Sequence, residues 1–173
     1  MSGVRRSPSP WPREGPYPFL DLQSFQTDFL DGYCRGQQSR CWLFERRQEP
    51  VVVSDEVVDP GVTRGALSGW PAWLCQFGSA LRAVRVDSLG RGELQTLCAG
   101  GVQVRLVSED RAARSVLPDM LLLGLSRAYV FVYEEGVFAG AVRVDDTKLV
   151  ARWRAGVDGL YADGAHPGEE VQG

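Results

Sequence analysis

The chain has one histidine, His166, and one lysine, Lys148, among its 173 residues. A lone histidine in a Gly-rich C-terminal stretch supplies no held general base and no partner for a metal pair. Four cysteines are present, Cys34, Cys41, Cys75 and Cys98, and no two form a CxxC. Structural zinc needs close Cys/His pairs, so no metal site and no cofactor are expected. No Walker-type loop and no GxSxG elbow occurs, so phosphoryl transfer and serine hydrolysis are not expected either. No apolar run reaches the roughly 18–20 residues that cross a bilayer. Arg5 and Arg6 precede Ser, Pro and Trp, with no apolar h-region behind them, so a secretory or twin-arginine signal is not expected. The expected compartment is the reducing cytoplasm, with free thiols. Cys75 and Cys98 fall in apolar patterns and read as small core residues, while Cys34 and Cys41 are close enough in sequence to approach one another.

Lys and Arg total 19 against 22 Asp and Glu, a net charge of −3. That balance disfavours a free-standing nucleic-acid binder, because phosphate contacts need a concentrated positive field. An apolar fraction of 44% and a charged fraction of 24% are ordinary for a globular chain. The length suits one domain and is short for two.

Residues 1–18 carry Pro8, Pro10, Pro12, Pro16 and Pro18 among Ser, Gly and Arg. Such a stretch buries little apolar surface and reads as a disordered tail, with Trp11 and Tyr17 available to dock. A single domain is expected over 19–162, and a second, Gly- and Glu-rich tail over 163–173. Phe19–Tyr33 reads as a helix, with Leu22, Phe25, Phe29, Leu30 and Tyr33 on one face, Asp21 as N-cap and Gly32 or Gly36 as stop. Cys41–Glu45 and Pro50–Val58 read as short strands joined through Arg46–Glu49. Pro71 opens a helix to about Ser79, with Trp70, Trp73, Leu74 and Phe77 as its buried stripe.

A strand over Ala83–Val86, a helix over Glu93–Ala99 closed by Gly100-Gly101, and a strand over Val102–Val107 suggest a β-α-β crossover. Ser108–Val116 reads as a charged connection. Met120–Leu123, Ala128–Tyr133 and Phe138–Val144 read as an antiparallel meander, with Glu134-Glu135-Gly136 as its last turn. Asp145 or Asp146 caps a final helix, Thr147–Tyr161, whose apolar face is Leu149, Val150, Trp153, Val157, Leu160 and Tyr161.

Several constellations compete with plainer uses. Asp119, Glu134, Asp145 and Asp146 supply the oxygen ligands a magnesium-dependent nuclease needs. However, an Asp at a helix start already serves the backbone N–H groups there, and the single lysine, Lys148, sits just after the cap of the last helix. Gly90-Arg91-Gly92 lies between a strand and a helix, where an anion suits the helix N-terminus. With Arg85 and Arg105 it makes Arg85, Gly90, Gly92 and Arg105 the candidate ligand set for a phosphate-bearing small molecule. Arg82, Arg85, Arg105, Arg111, Arg114 and Arg127 are otherwise expected to pair with Asp87, Glu93, Glu109, Asp110 and Asp119 as surface ion pairs.

The C-terminal motifs are Leu117-Pro118-Asp119, then Tyr133-Glu134-Glu135-Gly136-Val137-Phe138-Ala139-Gly140-Ala141, then Asp145-Asp146 and Val150-Ala151-Arg152-Trp153-Arg154-Ala155, with Asp158 beyond. Together they resemble an uncharacterised actinobacterial domain-of-unknown-function family. Its members carry an LPD turn, a DDxGxFxGA hairpin and a last helix near DDPxVVARYRAxRD. Trp73, Arg82, Val84-Arg85-Val86 and Gly101-Val102-Gln103-Val104-Arg105 resemble that family's upstream segments. The resemblance covers about the last hundred residues. It implies a regulatory role, because such genes often neighbour helix-turn-helix regulators. The module also looks like half of a phospholipase-D-type α/β domain, without the HxK(x)₄D motif that its hydrolysis requires. Where the family has an aromatic-acidic segment after LPD, this chain has Met120-Leu121-Leu122-Leu123. That departure makes Leu121, Leu122, Leu123 and Leu125 the candidate interface.

The expected fold is α/β, with α+β as the alternative: a mixed, largely antiparallel sheet flanked by helices and closed by a C-terminal helix. The expected function is a non-enzymatic, cytoplasmic interaction module. Its partner would be a helix-turn-helix transcription regulator or a second copy of itself, with no direct contact to nucleic acid or membrane. The alternatives are the phosphate sensor and the metal-dependent nuclease.

Overall fold

A computed structural model describes residues 16–36, 40–46, 69–86, 91–134, 137–169 and 171. The expected strand at Pro50–Val58 and most of the expected Pro-rich tail lie outside the described residues.

Short apolar runs bounded by polar or Gly/Pro residues become the strands. These are β1 (Phe19–Asp21), β2 (Cys41–Glu45), β3 (Leu81–Val86), β4 (Gln103–Val107), β5 (Met120–Leu123), β6 (Arg127–Glu134) and β7 (Val137–Val144). Among the described residues they form one sheet in the order β1-β7-β6-β5-β2-β3-β4. β2, β3 and β4 run parallel, and the remaining neighbours are antiparallel. The sheet is therefore mixed and the fold α/β, as the patterning implied. The helices are α1 (Leu22–Arg35), α2 (Gly69–Cys75), α3 (Arg91–Ala99), α4 (Glu109–Arg114) and α5 (Thr147–Asp163).

Strand alternation sends side chains to two cores. One face carries Cys41, Leu43, Leu81, Ala83, Val104, Leu121 and Leu123, packed under residues of α1, α2 and α3. The other carries Trp42, Phe44, Val84, Val86, Val107, Met120 and Leu122, packed under α4 and α5. Strands covered on both faces must be apolar throughout, and Met120–Leu123 is buried along its whole length. Phe25 of α1 sits within a cage of rings, 5.3–6.2 Å from Trp70, Trp73, Tyr129, Phe131 and Phe138. Tilted and edge-on ring pairs of this kind add to what area burial alone provides.

Three elements differ from the sequence reading. Phe19–Asp21 is an edge strand and not the first turn of a helix. Pro18 holds the entry extended and its carbonyl accepts from the Arg143 N–H at 3.0 Å. The helix starts one residue later, where Asp21 Oδ1 accepts from the Ser24 N–H at 2.8 Å. The Ser108–Val116 connection contains α4. Ser108 caps it, Glu109 and Asp110 occupy its first turn and Arg111 and Arg114 its last, an arrangement that suits the helix dipole. Only Ala112 is buried there, so no apolar period announces the helix. Finally, the chain stays on the sheet beyond residue 162. Ala165 and Leu106 exchange backbone hydrogen bonds, both at 2.9 Å, which covers part of the β4 edge.

The thiols are free, and their placement is the reverse of the pattern-based reading in one respect. Cys41 is buried and Cys98 is exposed. Burial pushes the Cys41 thiol up to about 12, so it behaves as a small apolar residue.

Two glycines answer steric demands. Gly101 takes φ +87° behind α3, where the Val102 N–H bonds to the Leu97 carbonyl and Gly101 N–H to that of Cys98, a Schellman end. Gly140 takes φ +153°, and a Cβ there would overlap the Leu20 carbonyl oxygen of β1. We expect Gly140→Ala to cost about 1–3 kcal/mol of stability in urea unfolding, the range for side chains forced into strained backbone. Loss of less than about 0.5 kcal/mol would show that β1 does not need this close approach.

Candidate functional site

Only three polar or charged residues among those described are buried: Glu45 at 5%, Arg85 at 3% and Asp119 at 6% exposure. All three lie at one end of the sheet. Glu45 ends β2 and is paired in register with Arg85 of β3. Asp119 immediately precedes β5, whose Met120 pairs with Phe44. This is the carboxyl end of the parallel strands, where open α/β sheets place their ligand crevices.

Each group is tied in place. Arg85 Nη2 donates to Glu93 Oε2 at 2.6 Å. Its Nε lies 3.0 Å from Glu45 Oε2, an ion-pair contact outside hydrogen-bond alignment. The Trp70 indole N–H donates to Glu45 Oε1 at 2.5 Å. Asp119 accepts from the Arg46 backbone N–H and from the Tyr133 hydroxyl, each at 3.2 Å. Two carboxylates, Glu45 and Glu93, thus face one guanidinium, and Asp119 is near enough for its charge to act on Glu45. Burial pushes the Glu45 carboxyl above the ordinary carboxylate range, and the charges of Glu93 and Asp119 push the same way. Arg85 and the Trp70 N–H pull it back without cancelling the shift.

Against this geometry the expected phosphate set does not assemble. Arg85 is buried and engaged by two acids. Gly90 lies outside the described residues. Gly92 is exposed in the first turn of α3, and the same turn already holds the Glu93 carboxylate, which is the charge a helix N-terminus favours. Arg105 is one register position from alignment with Arg85, since Val84 pairs with Arg105 and Arg85 with Leu106. That single step puts the two arginines on opposite faces of the sheet. Arg105 instead meets the Tyr161 ring of α5, its Cζ 4.6 Å from the centroid.

The expected apolar interface is corrected in the same way. Leu121, Leu122 and Leu123 are core side chains of a strand sandwiched between two helical layers. Only Leu125, in the β5–β6 turn, is exposed, at 64%. Val116, in the turn before β5, is 84% exposed and holds φ 55°, an uncommon conformation for a β-branched residue.

The acidic quartet is split between the ends of the β6–β7 hairpin. Asp119 bonds to Tyr133, near the Glu134 end. Asp145 and Asp146 follow the opposite end of β7, roughly 20 Å away along the strand. There Asp146 caps α5, accepting from the Lys148 and Leu149 N–H groups at 3.1 Å. Asp145 accepts from Arg127 Nε at 2.6 Å and lies 3.2 Å from Arg143 Nε. Asp28 of α1 completes that network through Arg143 at 3.0 Å and the Tyr129 hydroxyl at 2.6 Å. Among the described residues no group of three or more His, Cys, Asp or Glu is placed to hold a metal.

Residue typing by pattern missed Glu45 and Trp70 as a polar pair. Trp70 was legible as part of a buried stripe, but its N–H handle requires an acceptor that only the tertiary fold supplies. A usable signal existed for Glu45: it ends the otherwise apolar run Cys41–Phe44.

The raised Glu45 pKa has a definite sign in stability. A carboxyl whose folded pKa exceeds its unfolded value stabilises the fold below about pH 4.3, and that contribution is lost as pH rises through the folded pKa. Urea midpoints of the parent should therefore fall relative to those of Glu45→Gln as pH rises from about 4. A midpoint difference constant across pH would mean that Glu45 titrates alike in both states.

No curated protein matches this chain. A family model described as Domain of unknown function (DUF6879) matches residues 93–169, the segment from α3 through β4–β7 and α5.

Proposed function

We infer that this chain is a regulatory protein-interaction module without catalysis of its own, acting in the cytoplasm as partner of a helix-turn-helix transcription regulator. The observation that carries this reading is how the charged side chains are used. Arg85 is held by Glu45 and Glu93, and Arg127 and Arg143 by Asp28 and Asp145. Arg111 is held by Asp163, and Arg154 lies over the Trp42 ring while its Nε is 3.7 Å from Asp158. Carboxylates of the kind that do acid–base or metal chemistry are here engaged in ion pairs within and between the strands and helices. A net charge of −3 also suits an accessory of a DNA-binding protein better than a second DNA-binding surface. Leu125 offers an exposed apolar side chain for the contact, and apolar anchors of this kind carry a large share of interface energy.

Affinity purification from the native host, with light scattering on the eluate, tests the reading. A stoichiometric partner bearing a helix-turn-helix domain is expected. Leu125→Asp should leave stability within about 0.5 kcal/mol of the parent, as for most surface substitutions, while the partner is lost. Recovery of a homodimer alone would replace the regulator with a second copy of the chain. A lone monomer would contradict the interaction reading.

A further inference from the structure

Two half-buried arginines share one aromatic ring. Arg82 of β3 and Arg105 of β4 project from the sheet face that α5 covers, with Gln103 beside Arg82 in register. Both guanidinium groups meet one ring near the end of α5: Cζ of Arg105 lies 4.6 Å and Cζ of Arg82 5.3 Å from the Tyr161 centroid. Arg105 Nη1 donates to the Val104 carbonyl at 3.0 Å, and the Tyr161 hydroxyl donates to Gln103 Oε1 at 3.2 Å. Among the described residues neither arginine has a carboxylate partner, whereas Arg85, Arg111, Arg127, Arg143 and Arg154 each have one. Arg82, Arg105 and Tyr161 are half-buried and Gln103 is exposed, so the cluster is packed yet reached by water.

Two like charges held on one ring repel; the ring face and the Val104 carbonyl ease this in part, but among the described residues no carboxylate neutralises either one. A ligand that neutralises both must carry about two negative charges in a small volume. A phosphate monoester does so near pH 7, with oxygens matched to the guanidinium fork, whereas a single carboxylate leaves one charge unmet. With Gln103 Oε1 turned to the Tyr161 hydroxyl, its Nε2 has two further donors to offer. We propose that Arg82 and Arg105, held on the Tyr161 ring beside Gln103, bind a phosphate-bearing small molecule. The site is separate from Leu125 and from the Glu45–Arg85 cluster, so it stands whether or not a partner protein is found.

The test is thermal unfolding of the full chain with inorganic phosphate and with pyrophosphate, against chloride at matched ionic strength. A saturable rise in Tm is expected with at least one of the two. It should reach roughly 5–10 °C at about a hundred times the dissociation constant, with no rise in chloride. R82Q should keep the parent Tm or exceed it in phosphate-free buffer, because a repulsion is relieved, and should weaken phosphate binding at least ten-fold. R105Q should weaken binding similarly; if it unfolds because the Val104 contact is lost, R82Q alone decides. Three results would overturn the proposal: no saturable rise for either probe, an equal rise in parent and R82Q, or an R82Q protein melting several degrees below the parent without phosphate. The last is the mark of a side chain whose role is packing.

Discussion

The buried pair of Glu45 and Arg85 is the constraint on which the arrangement of this sheet turns. A charge taken into a sheet interior costs several kcal/mol unless it is paired and hydrogen-bonded. Here the two charges sit on adjacent parallel strands in direct register, and Trp70 and Glu93 hydrogen-bond to Glu45 Oε1 and Arg85 Nη2. The pair therefore specifies the β2–β3 alignment more sharply than the apolar residues around it do. Val, Leu and Phe tolerate a shifted register if volume is kept, whereas a slip by one residue would send Glu45 and Arg85 to opposite faces. The same contacts fix two helices, since Trp70 belongs to α2 and Glu93 to α3.

The opposite end of the sheet repeats the device in a more exposed form. Asp28, Tyr129, Arg127, Arg143 and Asp145 join α1 to β6 and β7. Burial and the hydrogen bond to Asp28 push the Tyr129 phenol up, so it stays a neutral donor. Each end of the fold is thus closed by matched charges and each face by an apolar layer. Among the described residues, two half-buried arginines without a carboxylate partner meet around Tyr161, and that is where a ligand reading has physical content.

Much of the architecture was legible in the sequence because its signals are local. The β3-α3-β4 unit follows from alternating apolar positions and a Gly-Gly stop, and the β5-β6-β7 meander from three apolar runs at short spacing. The α5 helix follows from Asp146 and an apolar face at Val150, Val157 and Leu160. What local pattern does not carry is register. Arg85 and Arg105 are equally good phosphate ligands as residue types, and only the β3–β4 pairing shows that they occupy opposite faces. Likewise an apolar run such as Leu121–Leu123 reads the same whether its second face meets solvent, a partner or α5. The α4 helix escaped for a different reason: its six residues are held by a cap and by charges at their ends, with a single buried side chain.

A double-mutant cycle on Glu45→Gln and Arg85→Met, read by urea unfolding at neutral pH, tests the central claim most directly. If the buried pair organises the junction of β2, β3, α2 and α3, the two changes should be coupled by roughly 2–3 kcal/mol. Each single variant would then be far less stable than additivity with the double variant implies. Additive effects, within about 0.5 kcal/mol, would mean that the two charges are accommodated independently and that apolar packing alone sets the register.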